Sequence, residues 1–223
     1  MPRAACMRLD PDVLVPNLTL EMELHAAGTP CIAGLDEVGR GAWAGPLTAA
    51  AVILPVERPD LSSFLEGVRD SKQMTPRQRL RWSRIIFETA SAVGVGQASP
   101  SEVDELGPLA ATRLAMTRAL AFLSVEPGHL LVDHLRLHGL PTPQSAITHG
   151  DARVLSIAAA SVVAKVLRDQ QMVEFDHLYP GYGFAHHKGY GTTEHLESLR
   201  RLGPSPIHRY SYAPVAALAA TFL

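Results

Sequence analysis

Four acidic residues lie at or just beyond the ends of three segments that the sequence predicts to be strands. They are Asp36, Glu37, Asp133 and Asp151, and the segments are 32–35, 130–132 and 145–148. Carboxylates gathered from distant segments repel one another unless a cation neutralises them. Oxygen ligands in this number suit Mg²⁺ or Mn²⁺ better than zinc, and such ions can promote phosphodiester hydrolysis. The spacing leaves open whether the four converge or are unrelated surface acids.

The first two acids belong to the stretch IAGLDEVGRGAWAGP at residues 32–46. Neighbouring side chains of a strand point to opposite faces, so Asp36 and Glu37 are expected at a strand end or edge. The following Gly39-Arg40-Gly41 combines backbone that can approach a ligand closely with a guanidinium group. Gly45-Pro46 then precedes an apolar run at 47–54, which reads as the returning strand.

Capping signals and apolar periodicity divide the rest of the chain into alternating helices and strands. Helices are predicted at 18–24, 75–90, after Ser99, at 108–123, 155–179, 192–202 and 215–223, with a further strand at 92–98. The small residues of SIAAASVVAK, early in the helix at 155–179, would let that helix lie close to a sheet. Because the first two strands are joined too tightly for a crossover, the sheet of this α/β fold must be mixed.

Composition limits the classes of protein to which the chain can belong. Its 223 residues suit one domain with at most a modest appendage, and 47% of them are apolar. With Cys6 and Cys31 as the only cysteines, a reduced protein without structural zinc is expected. The longest apolar runs are too short to span a bilayer, and the first residues carry no signal-peptide pattern. A cytoplasmic location is therefore predicted.

The charge is unevenly distributed although the net charge is only −2. One basic region spans 69–84 and another spans 186–209. Such regions can bind phosphate groups while the acidic remainder limits non-specific adhesion. The alternative for residues 77–84 is the solvated face of a helix.

Seven sequence blocks resemble those of the type-2 ribonuclease H (RNase HII) family, in the family's order and at compatible spacing. They are GLDEVGRG, DSK at 70–72, LLVD at 130–133, HGD at 149–151, SIAAASVVAKVLRD, YPGYGFAHHKGYGT and GPSPIHR. Together they extend from Ile32 to about Val215. The resemblance implies a ribonuclease-H-like mixed β-sheet flanked by helices, with a helical C-terminal extension. It suggests a lead segment at 1–30, a catalytic domain at 31–180 and a substrate-binding extension at 181–223.

The resemblance also implies roles for individual residues. The family's acidic metal ligands match Asp36, Glu37, Asp133 and Asp151, which would hold Mg²⁺ or Mn²⁺, with two ions during catalysis. The positions that recognise a ribonucleotide joined to DNA match Gly39, Arg40, Gly41 and Tyr190. Contacts with phosphate groups are expected of Lys72, Lys188 and Arg209. Asp169, next to Arg168, is interpreted as a structural partner.

The implied activity is that of an endoribonuclease. It would cut the RNA strand of RNA–DNA hybrids and incise DNA duplexes 5′ of single embedded ribonucleotides, leaving 3′-hydroxyl and 5′-phosphate ends. We expect a monomer that binds these nucleic acids and no membrane. The alternatives are a type-3 ribonuclease H, which does not incise at lone ribonucleotides, a nucleic-acid-binding protein with an inactive site, and a small-molecule phosphatase.

The sequence departs from the expected family pattern at three positions. His134 follows Asp133 where glycine is expected in many relatives, and His149 and Arg153 stand where lysines are frequent. None of the three is expected to touch a proposed ligand. We therefore expect their effects to be on loop shape or substrate affinity.

Overall fold

The fold is built on one five-stranded sheet. A computed structural model describes residues 15–221 of the chain. The strands are β1 (Ile32–Val38), β2 (Leu47–Ile53), β3 (Ala92–Ala98), β4 (His129–Asp133) and β5 (Gln144–Ile147). Their order is β3-β2-β1-β4-β5, in which β2 is antiparallel to both neighbours while β1, β4 and β5 are parallel. The predicted mixed sheet is confirmed.

Helices cover both faces of the sheet. They are α1 (Thr19–Ala26), α2 (Leu61–Phe64), α3 (Pro76–Thr89), α4 (Pro100–Leu106), α5 (Pro108–Ala121), α6 (Leu155–Leu178), α7 (Phe184–His187), α8 (Thr193–Leu202) and α9 (Ala213–Ala219). Two 3₁₀ turns, Ser71–Gln73 and Gly150–Ala152, lie beside the strand ends. Side chains of α5 pack on one face with Leu35, and those of α3 and α6 pack on the other with Val52.

Small residues set the close approach of α6 to the middle of the sheet. A Cβ atom on Gly34 of β1 would lie 2.2 Å from the backbone carbon of Ser156, so only glycine fits there. The α6 residues from Leu155 to Ala164 are all buried. The prediction that this helix lies close to a sheet is therefore confirmed, and its position fixes the strand ends beneath it.

The capping signals located several helices correctly. Thr75 and Ser99 each form a capping box with the side chain three residues later, at the starts of α3 and α4. Thr192 caps α8 as predicted. Two predictions were incomplete: β1 continues through both acids to Val38, because β2 pairs with it that far, and the loop near residue 185 contains α7.

The C-terminal part is helical and packs against α6. Its apolar cluster joins residues of α6 and of the loop after β1 to the C-terminal segment; the buried members are Ala44, Met172, Tyr182, Phe184 and Ile207. The last helix ends at Ala219, earlier than predicted. Residues 1–14 and 222–223 lie outside the described residues, and with them Cys6, part of the lead segment and the predicted helix end. Between residues 15 and 221, no helix combines the length and the apolar character needed to cross a bilayer.

Candidate active site

A cavity of about 610 Å³ opens at the sheet edge where β1 and β4 end. Asp36, Glu37 and Asp133 line it. Asp151 belongs to the adjoining 3₁₀ turn, and its carboxylate lies 3.1 Å from Nζ of Lys72, which also lines the cavity. The four acids named from the sequence are thus brought to one place.

Strand register explains why the acids meet. Strands β1 and β4 are parallel neighbours, and their last paired residues are Leu35 and Val132. The next residues, Asp36 and Asp133, therefore lie side by side at the same end of the sheet. The amide of Gly150 donates a 2.8 Å hydrogen bond to Oδ1 of Asp133. This bond ties the turn that carries Asp151 to the end of β4.

Burial and mutual repulsion make the site unfavourable for anions alone. Burial, then the carboxylates of Glu37, Asp133 and Asp151, raise the pKa of Asp36 well above its usual value. Burial likewise raises the pKa of Glu37, although His134, Arg40 and Lys72 oppose the shift. Oε2 of Glu37 is buried and has no hydrogen-bond partner within the described structure. An orphaned carboxylate oxygen among repelling acids fits a site for divalent cations.

Lys72 supplies part of the missing positive charge. Its Nζ lies 3.1 Å from Asp151 and 3.7 Å from Asp70, and 77% of its side chain is exposed. Burial of the amine disfavours its charge, but the carboxylates of Asp70 and Asp151 outweigh that effect and raise the pKa of Lys72. Within residues 15–221, no three acidic, histidine or cysteine side chains already stand in metal-holding geometry. Side-chain movement, including that of Lys72, would have to accompany metal binding.

His134 connects Asp133 to Arg40 in the loop after β1. Its Nδ1 lies 3.0 Å from Oδ2 of Asp133, and its Nε2 accepts a 2.7 Å hydrogen bond from Arg40. The expectation that His134 touches no proposed ligand was therefore wrong. His134 has φ 47°, a left-handed conformation that favours glycine, which gives a physical reason for glycine at this position. His149 also has a positive φ and lines the cavity.

The two glycines around Arg40 differ in what the fold demands of them. Gly39 has φ 88°, and a Cβ there would lie 2.2 Å from Nε of Arg168. Gly41 has ordinary space around it, since a Cβ there would meet no atom within 4 Å. The fold therefore requires a glycine at position 39. At position 41 the fold would accept a larger residue, and glycine there leaves open space beside the cavity.

Tyr190 lies between the acidic cavity and a second cavity beside it, and it lines both. The guanidinium carbon of Arg168 is 5.4 Å from the centre of its ring, and Nζ of Lys165 is 5.8 Å away. Lys188 lines the second cavity only, and its amine donates to the carbonyl of Ala185. Both residues were expected to touch substrate. Tyr190 lies beside the acids, whereas Lys188 lies in the neighbouring cavity.

Arg209 lies inside the protein, with 0% of its surface exposed. Its guanidinium donates to the carbonyl oxygens of Gly45 and Arg40 and to the hydroxyl of Tyr212. A group so enclosed cannot reach a phosphate in this structure. The structure therefore gives Arg209 a supporting role, holding the loop after β1, in place of the direct contact expected from the sequence.

Arg168 is a second buried arginine that sequence reasoning missed. It donates to the carbonyl oxygens of Pro46, Ala44 and Lys188, and so joins the loop after β1 to the loop that carries Tyr190. Arg168 lies four residues after buried Ala164 and four residues before buried Met172, so all three share one face of α6. This spacing was the sequence signal that Arg168 is buried. Asp169 does not pair with it; as a structural residue, it pairs with Lys165 at 2.7 Å and Arg79 at 3.7 Å.

Comparison with known proteins identifies the family. The family model described as "Ribonuclease HII" matches residues 33–215, most of the 223-residue chain. The chain belongs to the ribonuclease HII family. It is therefore an enzyme, a divalent-metal-dependent ribonuclease that hydrolyses phosphodiester bonds.

Named relatives and solved structures agree with this assignment. Ribonuclease HII of Synechococcus sp. (strain JA-3-3Ab) is 52% identical over 208 residues, covering 93% of both chains. That of Chloroflexus aggregans is 50% identical over 206 residues, covering 91% of this chain and 96% of the relative. The crystal structure of ribonuclease H2 from Pyrococcus horikoshii OT3 has a TM-score of 0.71 at 26% identity, covering 86% of this chain and 98% of its own. A Bst-RNase HIII structure in complex with Mn²⁺, 19% identical with a TM-score of 0.66, shows the same fold.

Buried histidines hold the loop that carries Tyr190. The amide of Ser205 donates to Nδ1 of His208, so His208 carries its proton on Nε2, which lies 3.1 Å from Nε2 of His195. His195 then donates from Nδ1 to the carbonyl of Tyr190. His187 stacks on His195 with ring centres 4.3 Å apart. The bonds from Ser205 through His208 and His195 to Tyr190 require these two histidine rings to be neutral.

Acid should therefore weaken the fold through these histidines. Burial, the largest cause, lowers the pKa of His195 to about 4 and of His208 to about 3. Below the unfolded value of 6.5, unfolded histidines bind protons that the folded ones do not, so stability falls as pH decreases. We expect these groups to remove on the order of 2–4 kcal/mol from the free energy of unfolding between about pH 6.5 and 4. Urea unfolding across this range measures the change.

His208→Asn keeps an acceptor for the Ser205 amide but cannot titrate. It should flatten the pH dependence of the unfolding free energy even if it lowers stability at neutral pH. Exposed His138 provides the control, since His138→Asn should leave the slope as it is. Equal slopes in the wild type and His208→Asn would contradict the assignment.

Proposed function

We propose that this ribonuclease cuts the RNA strand of RNA–DNA hybrids and also incises duplex DNA on the 5′ side of a single embedded ribonucleotide. The products would carry 3′-hydroxyl and 5′-phosphate ends. The observation that supports it is the lining of one cavity by three of the acids together with Gly39, Arg40, Gly41 and Tyr190. The residues suited to hydrolysis and those suited to reading a ribonucleotide share one space.

The acids would hold the divalent ions, for which Mg²⁺ and Mn²⁺ are the candidates. Asp36, Glu37, Asp133 and Asp151 supply oxygen ligands only, which suits these cations. When bound, two such ions activate water and stabilise the leaving oxygen of a phosphodiester. The orphaned Oε2 of Glu37 and the raised pKa of Asp36 in its buried carboxylate cluster support this role.

Protein cations at the cavity would position the phosphate backbone. The side chain of Arg40 is 46% exposed and lies 3.4 Å from Glu37, which keeps its guanidinium beside the acids. Lys72 is mostly exposed and could exchange its contact with Asp151 for one with a phosphate. Each such contact releases counterions, so substrate affinity should weaken with salt.

Backbone geometry supports recognition of the 2′-hydroxyl. The open space at Gly41 lets the chain approach a sugar closely, and polar backbone groups can hydrogen-bond a 2′-hydroxyl. Tyr190, on the same cavity, would pack on the deoxyribose that follows the ribonucleotide. A ring in that place leaves no room for a second hydroxyl, which selects an RNA-to-DNA junction. For the remaining properties we propose a cytoplasmic monomer that binds nucleic acid and no membrane.

Mapping the cut in a DNA duplex with one ribonucleotide tests the proposal. With Mg²⁺, the wild type should cut once, 5′ of the ribonucleotide, and should also cut a uniform hybrid. Gly41→Ala should fold normally but cut the lone ribonucleotide about three- to tenfold more slowly, since the loss of one hydrogen bond to the substrate costs about 1 kcal/mol. The melting temperature of the variant checks its fold.

The same assay separates the alternatives. A type-3 enzyme would cut the uniform hybrid and leave the lone ribonucleotide intact. A binding protein with an inactive site would cut neither substrate, and a small-molecule phosphatase would hydrolyse p-nitrophenyl phosphate while leaving both duplexes whole.

A further inference from the structure

His134 joins groups from two strands at the acidic cavity. Its Nδ1 lies 3.0 Å from Oδ2 of Asp133, the last residue of β4, and its Nε2 lies 2.7 Å from Nη1 of Arg40 in the loop after β1. The same Nη1 atom lies 3.4 Å from Oε1 of Glu37 in β1. One imidazole ring therefore contacts one acid directly and a second acid through Arg40.

The partners of His134 determine which ring nitrogen carries the proton. A guanidinium group only donates hydrogen bonds, so Nε2 of His134 accepts from Arg40. The proton of the ring is then on Nδ1, which donates it to Oδ2 of Asp133. Oδ1 of Asp133 accepts from the amide of Gly150. Both oxygens of this carboxylate are thus oriented by the protein, and each keeps a further lone pair for a cation.

The backbone at His134 does not depend on the ring. The amide of His134 donates to the carbonyl oxygen of Ile147 at 3.0 Å, and the residue has φ 47°, which glycine adopts without strain. The side chain is 33% exposed and lines the cavity. The two polar contacts of the ring are therefore what His134 adds to the site beyond its turn.

Arg40 needs such support because its long side chain is 46% exposed. Within residues 15–221, that side chain forms one hydrogen bond, the one from Nη1 to His134. Its Nε and Nη2 atoms remain available to a phosphate, for which the planar guanidinium is suited. Ordering a flexible side chain on binding costs affinity, and a bond that fixes it beforehand removes part of that cost.

We propose that His134 is a positioning residue, which holds Arg40 ready for a substrate phosphate and holds Asp133 oriented for a cation. The inference rests on the proposed roles of Arg40 and Asp133, but not on incision at a lone ribonucleotide. A glycine at this position would fit the backbone and supply neither contact. The departure from the expected glycine thus adds a function to the turn after β4.

Kinetics on a uniform RNA–DNA hybrid test the link to Arg40. In saturating Mg²⁺, His134→Gly should raise KM about three- to tenfold, the effect of losing the order of one flexible side chain, and should lower kcat by a smaller factor. In an Arg40→Ala background, the same change should raise KM less than about twofold, because the residue through which it acts is gone. Alanine at position 40 keeps the backbone carbonyl to which Arg209 and Tyr212 donate.

Two further variants separate the ring from the backbone. His149 also lines the cavity in a left-handed conformation, with φ 54°, and in the described structure no hydrogen bond joins it to Arg40 or Asp133. His149→Gly should therefore change KM by the same factor in both backgrounds. His134→Gln retains one donor and one acceptor on its amide, so it should bring KM back to within about threefold of the wild type.

Mn²⁺ binding, measured as the rise in melting temperature, tests the link to Asp133 without turnover. His134→Gly should need about tenfold more Mn²⁺ than the wild type for half of the maximal rise, since groups that hydrogen-bond a metal ligand commonly contribute this much affinity. His134→Gln should lie close to the wild type. Without metal, the three proteins should melt within about 4 °C of one another, because the backbone bond to Ile147 is retained.

An equal KM factor for His134→Gly in both backgrounds would overturn the link to Arg40, and superimposable Mn²⁺ titrations would overturn the link to Asp133. Failure of Mn²⁺ to stabilise the wild type would instead contradict the assignment of the acids as ligands. Failure of the wild type to incise at a lone ribonucleotide would contradict the proposed function. In both of these cases the KM comparison on the uniform hybrid still decides whether His134 acts through Arg40.

Discussion

Asp133→Asn should lower turnover by at least about a thousandfold while the protein stays folded, because residues that bind catalytic metal ions act as a unit. An asparagine can still accept the hydrogen bond from the Gly150 amide through its oxygen. It cannot supply the negative charge that Asp133 adds beside Asp36 and Glu37. Turnover on a uniform hybrid in saturating Mg²⁺ measures the loss, and Asp36→Asn should behave alike.

Metal binding can be followed without turnover. Millimolar Mn²⁺ should raise the melting temperature of the wild type, since a ligand that binds only the folded state stabilises it. The increase should be much smaller for Asp133→Asn. Asp60→Asn, at an exposed carboxylate paired with Arg58, should keep both the activity and the Mn²⁺ effect. Near-full turnover of Asp133→Asn would remove Asp133 from the ligands.

Local sequence rules were sufficient for the mixed sheet, whereas the spacing left the convergence of the acids open and only the family resemblance implied it. The tight link between β1 and β2 excluded a wholly parallel sheet, and the small residues of α6 predicted its close packing. The capping residues Thr75 and Ser99 located two helix starts correctly. These features depend on neighbours in the chain, which is why the sequence alone reveals them.

The supporting contacts could not be predicted in the same way, because they join distant segments. Arg209 lies in a basic stretch, and nothing local indicates that its guanidinium meets the carbonyl of Gly45, 164 positions away. The sequence alone indicates only a loop substitution at His134, whereas the structure places this residue between Asp133 and Arg40. The family resemblance indicated which residues to consider as site residues. The tertiary contacts then distinguish residues that can touch substrate from residues that only support the site.

Tyr190→Ala should reduce cleavage at a single ribonucleotide about ten- to a hundredfold, because stacking of this kind contributes roughly 1–3 kcal/mol. Activity on a uniform hybrid should fall less, since that substrate lacks the RNA-to-DNA step that the ring is proposed to read. The alternative is a tyrosine that only packs its loop. The structure allows a sharp test because the loop is held through the backbone of Tyr190, which alanine retains: its amide donates to the carbonyl of His187, and its carbonyl accepts from the His195 side chain.

Cleavage of both substrates by Tyr190→Ala and Tyr190→Phe, at several Mg²⁺ concentrations, separates the two roles. Phenylalanine keeps the ring and its contacts with Lys165 and Arg168, so Tyr190→Phe should retain most junction cleavage. If Tyr190→Ala lost the same factor on both substrates, Tyr190 would be structural. Recognition of the junction would then be left to Gly39, Arg40 and Gly41, which line the same cavity.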